Sequence, residues 1–149
     1  MRNALRFGLA AVIAVILVGA AATWLGSRAI VSCPLPNDVS VTSRLDEAPP
    51  SLAQALTERI GEVVPAGAKF DATDLVMIGK NRRLIFIWNM GRRWVVATER
   101  GGIGYNDPIF AFDLSDDGRK ATFVQERVAF PETVCATASS LLRVPNSNP

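Results

Sequence analysis

The stretch RRLIFIWNMGRRWVVATERGGIGYNDPIFAFDLS, residues 82–115, determines the fold. It contains β-rich runs that are separated by Met90 and Gly91 and then by the glycine-rich loop GGIGYND, residues 101–107. Aromatic and β-branched runs bounded by turn residues are typical of strands. Connections this short cannot hold the crossover that parallel strands need, so the sequence predicts an antiparallel meander. Residues 84–88 are apolar on both faces, which is typical of a central strand.

The same pattern continues on both sides of this stretch. Downstream, Asp117 and Gly118 form a hairpin signal ahead of a further β-rich run at residues 119–130. Upstream, DLVMIG at residues 74–79 predicts another strand, and turn residues follow it at 79–81. We therefore expect a meander sheet of four to five antiparallel strands.

One amphipathic helix is expected to pack on this sheet. Four apolar residues recur at spacings of four, four and three and so share one helical face: Leu52, Leu56, Ile60 and Val63. Ser51 follows two prolines and Gln54 stands three residues later, which is the capping-box pattern of a helix start. Pro65 and Gly67 are expected to end this helix. A short second helix is predicted within residues 132–142.

The first 28 residues form a membrane anchor or an export signal. Residues 7–25 are almost wholly apolar, and about 20 such residues suffice to span a bilayer. A secretory signal also fits, because the start is basic and AAA at residues 20–22 offers a cleavage point. Trp24 suits the far end of an anchor, so an uncleaved anchor is favoured over a cleaved signal.

Basic residues set the orientation of this segment. Arg2 and Arg6 precede the apolar stretch and only Arg28 closely follows it. The amino end should therefore stay in the cytoplasm, with the domain outside the cell membrane. Cleavage would instead make the protein periplasmic or secreted. A lipoprotein signal is disfavoured, because Arg28 interrupts the apolar region just before IVSC at residues 30–33.

The expected fold class is α+β, with an N-terminal membrane helix followed by one amphipathic helix packed on the antiparallel meander sheet. The chain divides into an anchor or signal, a proline-rich arm with a short strand at its centre, a globular domain and a flexible tail: residues 1–28, 29–50, 51–142 and 143–149. The short strand is predicted at residues 39–42.

The chain has two cysteines, Cys33 in the arm and Cys135 near the end of the domain. In an oxidising compartment such a pair is more often bonded than free. The sequence therefore predicts a disulfide that joins the two ends of the domain.

Composition excludes several classes of function. The chain has no histidine, so Ser-His-Asp and Cys-His catalysis are excluded, and two cysteines are too few for a cysteine zinc site. The net charge of +2 arises from the three arginines of the leader. The rest of the chain is nearly neutral, with 13 of the 16 basic residues and 14 acidic ones. A nucleic-acid partner is therefore not expected. We expect no enzymatic activity, no cofactor, no metal and no small-molecule substrate.

Two arginine pairs, Arg82–Arg83 and Arg92–Arg93, raise the possibility of an anion site. On the predicted meander they lie at opposite ends of one hairpin, and successive side chains of a strand face opposite sides. A joint site is therefore disfavoured. Protection of sheet edges and solubility explain these arginines better.

The GGIGYND loop is the candidate binding element. A phosphate-binding glycine loop leads from a strand into a helix, whereas this one leads into Pro108 and another strand. The loop is longer than a tight hairpin requires, and it carries the chain's one tyrosine. The candidate protein-binding residues are Gly101, Gly102, Gly104, Tyr105, Asn106 and Asp107. A plain connection is the competing interpretation. We expect Tyr105 to be partly exposed and the loop to lie at the same end of the sheet as the turn at residues 80–81.

These observations favour a non-enzymatic module that residues 7–25 tether to the membrane, facing the periplasm or exterior. It would bind another envelope protein or serve as an accessory subunit of an envelope complex. The alternative is a secreted inhibitor or immunity-type protein, released by signal cleavage and acting through the loop. An enzyme that uses carboxylates, for example on glycans, is the weakest hypothesis, because the acidic pairs fall in turns or on opposite faces of a strand.

Overall fold

A computed structural model of the protein contains five antiparallel strands that pair in chain order within one sheet. The structure describes residues 32–70, 81–102 and 104–145. The strands are β1 (Ser40–Thr42), β2 (Arg82–Met90), β3 (Arg93–Arg100), β4 (Asp107–Leu114) and β5 (Ala121–Ala129). The predicted antiparallel meander is confirmed, and its first strand comes from the arm, where Val41 lies opposite Trp88 of β2.

Two helices accompany the sheet, α1 (Pro50–Ile60) and α2 (Val134–Leu142), and a short 3₁₀ turn spans Leu45–Glu47. The predicted membrane helix within residues 7–25 and the predicted strand at 74–79 lie outside the described residues. Within the part of the chain that the structure describes, no helix has the length and apolarity to cross a bilayer.

The two helices pack on opposite faces of the sheet. Successive residues of a strand face opposite sides, so alternate residues contact each helix. The α1 face is the face whose core includes two residues of α1 and four of the strands: Leu52, Leu56, Ile87, Val96, Phe110 and Phe112. On the other side, the α2 face, α2 packs across β3, β4 and β5 and buries Val134, Ala138 and Leu141. The expected fold class has one helix on the sheet, whereas the structure has two. The predicted short second helix covers part of the other face.

The start of α1 differs from the prediction. The helix begins at Pro50, because two successive prolines preset the backbone angle of a first turn. Ser51 therefore lies inside the helix, and its hydroxyl donates to the carbonyl of Gly118 at 2.8 Å instead of capping. The capping-box prediction was wrong. The predicted end was also too late, since Gly61, at φ 79°, ends the helix.

The carboxyl end of α2 is held to the sheet by a buried arginine. Arg93 forms an ion pair with Asp113, which lies directly opposite it on β4, with Nε and Oδ1 2.6 Å apart. Its Nη1 also donates to the carbonyl of Leu141 at 2.9 Å. A surface role for Arg93 in solubility was therefore wrong. The buried side chain links the β3–β4 hairpin to α2.

The amino end of α2 is held by a covalent bond. Cys33 and Cys135 form a disulfide with a Cα–Cα distance of 5.5 Å, which confirms the predicted pairing. Cys135 is the second residue of α2, so the bond ties the arm to the start of this helix. Together with Arg93 it fixes α2 at both ends.

Replacing both Cys33 and Cys135 with serine should lower the free energy of unfolding by about 4–5 kcal/mol, because the bond closes a loop of 102 residues in the unfolded chain. The melting temperature measures this loss, and circular dichroism below the transition should still show the sheet. Free thiols in the wild-type protein, found by alkylation under non-reducing denaturation, would contradict the pairing.

Candidate binding site at the Gly101–Asp107 loop

The loop between β3 and β4 is closed by backbone hydrogen bonds. The Arg100 amide donates to the Asn106 carbonyl at 2.9 Å and the Asn106 amide returns a bond of 3.4 Å. The Gly101 amide donates to the carbonyl of Asn81 at 2.9 Å. This contact places the loop at the end of the sheet where β2 begins, as the sequence predicted.

Glycine has a backbone role at two loop positions. Gly102 and Gly104 have φ values of 95° and 81°, a region that side chains with a Cβ rarely occupy. The Asn106 side-chain amide also donates to the Gly104 carbonyl at 2.8 Å. The described residues of the loop are therefore held by several internal and external contacts.

Tyr105 joins the loop to the sheet. The residue remains 37% exposed, as predicted, while its hydroxyl donates to Oε1 of Glu99 in β3. The side chain therefore combines an accessible aromatic surface with a fixed polar end. This combination limits the entropy that the ring would lose on meeting a partner.

The carboxylate that receives Tyr105 is itself held by Arg83. Glu99 is only 3% exposed and Arg83 only 9%. Arg83 donates from Nη2 and Nε to Oε2 of Glu99, at 2.6 and 3.0 Å. Its Nη1 donates to the Ala68 carbonyl at 3.1 Å, and its guanidinium lies 4.4 Å from the ring centre of Phe70. One carboxylate oxygen thus serves the arginine and the other serves the tyrosine.

A single extra residue in β2 creates this pair. The strand register shifts between Leu84 and Phe86, and this shift sets Arg83 opposite Glu99. Without that shift the regular count would set Arg83 opposite Arg100. The bulge therefore decides whether two charges across the strands attract or repel.

Of the predicted loop residues, Asp107 contributes to the scaffold. It is the first residue of β4 and is 0% exposed. The pairings Ala97–Ile109 and Arg100–Asn106 place it beside Glu99 in the same row. Gly101 is also buried, whereas Gly104 and Tyr105 are exposed. A partner that approached the loop would meet Gly104 and Tyr105, not Asp107.

Glu99 was missed as a functional candidate, and Arg83 was considered only for an anion site that was then disfavoured. Arg83 was interpreted as a surface residue for solubility and edge protection, which its burial in an ion pair contradicts. The available signal was the period-two alternation of β3, which puts Glu99 on the face opposite to that of Arg100. Its strength depended on the register, which the bulge changes.

The structure also contains an open cleft of about 510 Å³, lined in part by Arg44, Asp46, Val63 and Pro65. A hydrogen bond from Arg44 lowers the pKa of Asp46, and the same contact raises the pKa of Arg44. These two charged side chains of the cleft therefore stabilise each other's charged form. Across the described residues, no three cysteine, aspartate or glutamate side chains are grouped as a metal site would need.

Comparison of the chain with protein-family profiles, with curated proteins and with solved structures gives no match. Function is therefore inferred from the geometry and chemistry of the site.

Replacing Glu99 with glutamine should lower the free energy of unfolding by about 3–5 kcal/mol, because it leaves the buried Arg83 guanidinium without its counter-charge. Tyr105→Phe should cost only about 0.5–1.5 kcal/mol for the lost hydrogen bond to Glu99. Chemical denaturation of each variant measures these values.

Glu126→Gln is the matched control, because Glu126 lies on the surface, 3.8 Å from Arg59. An exposed pair of this kind contributes about 1 kcal/mol or less. If Glu99→Gln destabilised the protein no more than Glu126→Gln, the ion pair would not hold the loop end of the sheet.

Proposed function

We propose that the protein is a non-enzymatic interaction module, tethered to the cell membrane through residues 7–25, that binds another envelope protein through the Gly101–Asp107 loop. The observation that carries the proposal is the exposed ring of Tyr105, whose hydroxyl is anchored through Glu99 to the buried Arg83. Aromatic side chains on pre-ordered loops are frequent anchors of protein interfaces.

The location outside the cytoplasm has support from the disulfide. A bond between Cys33 and Cys135 persists in oxidising compartments and is rare in a reducing cytosol. The apolar stretch at residues 7–25 and the basic residues before it agree with an exported domain on a membrane tether. The disulfide and the leader sequence support an exported domain whether or not the loop binds a partner.

Binding is favoured over catalysis by the use that the fold makes of its carboxylates. Glu99 and Asp113 are each committed to a buried arginine. Asp117 accepts bonds from Ser115 and from the Arg119 amide in the β4–β5 turn, and these bonds lower its pKa. A general acid or base needs access to its substrate and a pKa close to the working pH. These three groups serve structure instead.

Photo-crosslinking in intact cells tests the proposal at the residue that carries it. With Tyr105→p-benzoylphenylalanine we expect a discrete crosslinked species in carbonate-washed membranes. The same replacement at Arg119, in the exposed β4–β5 turn, should give none. Tyr105→Ala should then reduce co-purification of the crosslinked partner at least about tenfold, as expected for an interface anchor.

Val128→Ala is the matched control, since Val128 is an exposed apolar residue on the α1 face and Tyr105 reaches the α2 face. Equal losses from both substitutions, or no crosslink at residue 105, would refute a role for the loop. Recovery of a soluble protein that begins near Thr23 would refute the tether and favour the secreted inhibitor.

A further inference from the structure

The α1 face carries two arginines side by side at the loop end of the sheet. Arg82 of β2 lies directly opposite Arg100 of β3, and Arg100 in turn lies opposite Asn106. Arg82 is partly buried and Arg100 is exposed. This pair is the outermost one of the β2–β3 pairing.

These two guanidinium groups lack an ion-pair partner within the residues that the structure describes. Burial lowers the pKa of Arg82, the charge of Arg100 lowers it further, and Glu126 raises it. Glu126, however, also lies 3.8 Å from Arg59, with which it forms an ion pair. Like charges directly opposite each other on neighbouring strands are destabilising, so the folded protein holds an unfavourable positive pair at this place.

Two other arginines of these strands each have a carboxylate directly opposite them. On the α2 face of the same strands, Arg83 and Glu99 form a cross-strand ion pair, and at the far end of the hairpin Arg93 pairs with Asp113. The Arg82–Arg100 pair departs from this pattern. An anion between the two groups would remove the repulsion and supply the missing acceptors.

We propose that Arg82 and Arg100 form a binding site for a phosphate group. Each guanidinium is a planar fork of donors that matches the oxygens of phosphate, and arginine stays charged at every physiological pH. Two adjacent positive charges fit a dianionic phosphate better than a singly charged carboxylate. This site uses the opposite face from Tyr105 and does not depend on the protein-binding role of the loop.

Nuclear magnetic resonance of the full chain in a nonionic detergent tests this site with inorganic phosphate as the probe. At constant ionic strength, phosphate should produce saturable shifts in the Nε–H signals of Arg82 and Arg100. Replacing both arginines with glutamine should weaken phosphate binding at least about tenfold, as the loss of charge-assisted bonds implies.

Arg127 and Arg143 provide a control with the same change in net charge. Both are exposed, and Arg127 projects from the α2 face, opposite Ile109. Their replacement with glutamine should change phosphate affinity less than about twofold, since long-range screening of exposed charges is strong. Equal weakening by both double variants, or shifts that never saturate, would show only a general attraction of anions and would overturn the proposal.

Thermal unfolding gives a second test, in which the loss of one arginine is expected to stabilise the protein. In phosphate-free buffer Arg100→Gln should raise the melting temperature, because it removes the repulsion from Arg82. It should also abolish the rise that phosphate gives the wild-type protein. A lower melting temperature in phosphate-free buffer together with an undiminished response to phosphate would contradict the site.

A phosphate group could belong to a small soluble molecule or to a lipid headgroup. Flotation with phosphatidic acid vesicles, compared between the wild-type protein and the variant lacking both arginines, separates these sources. Binding of free phosphate alone assigns a soluble ligand. Arginine-dependent binding to the vesicles assigns a lipid headgroup. If the two arginines affected the binding of neither inorganic phosphate nor the vesicles, the site would be refuted.

Discussion

The buried ion pair between Arg83 and Glu99 is the interaction on which the loop end of the sheet depends. It joins β2 to β3, holds the segment after α1 through the Ala68 carbonyl, and presents the oxygen that receives Tyr105. Removing two charges from water is costly, and only close geometry and further hydrogen bonds offset that cost. The pair therefore indicates a specific arrangement of β2, β3 and the loop. It is weak evidence that the folded protein is more stable than it would be with apolar residues at these two positions.

The pair in turn depends on one backbone irregularity. The bulge between Leu84 and Phe86 brings Arg83 opposite Glu99 and at the same time sets Arg82 opposite Arg100. One face of the loop end thus acquires a neutralised pair that orders Tyr105, and the other face acquires an uncompensated positive pair. The two proposed binding surfaces are consequences of the same extra residue, although they take different ligands and are tested independently.

The sequence was sufficient to predict the strands of residues 82–130, their antiparallel order and the disulfide, because turn residues and apolar runs are local signals. The burial of Leu52 and Leu56 followed from helical periodicity in the same way. Glu99 could not be identified, because its partner depends on the bulge and a bulge leaves little trace in composition. The capping box failed because two prolines started α1 before Ser51.

Backbone relaxation measured by ¹⁵N nuclear magnetic resonance tests most directly whether Glu99 orders the loop. We expect order parameters of about 0.85 for the amides of Gly102, Gly104 and Tyr105 in the wild-type protein, falling below about 0.6 in Glu99→Gln. The amide of Gly118, in the β4–β5 turn, should keep its value in both proteins. Loop values already below about 0.6 in the wild-type protein would contradict the claim that the ion pair pre-orders the binding surface.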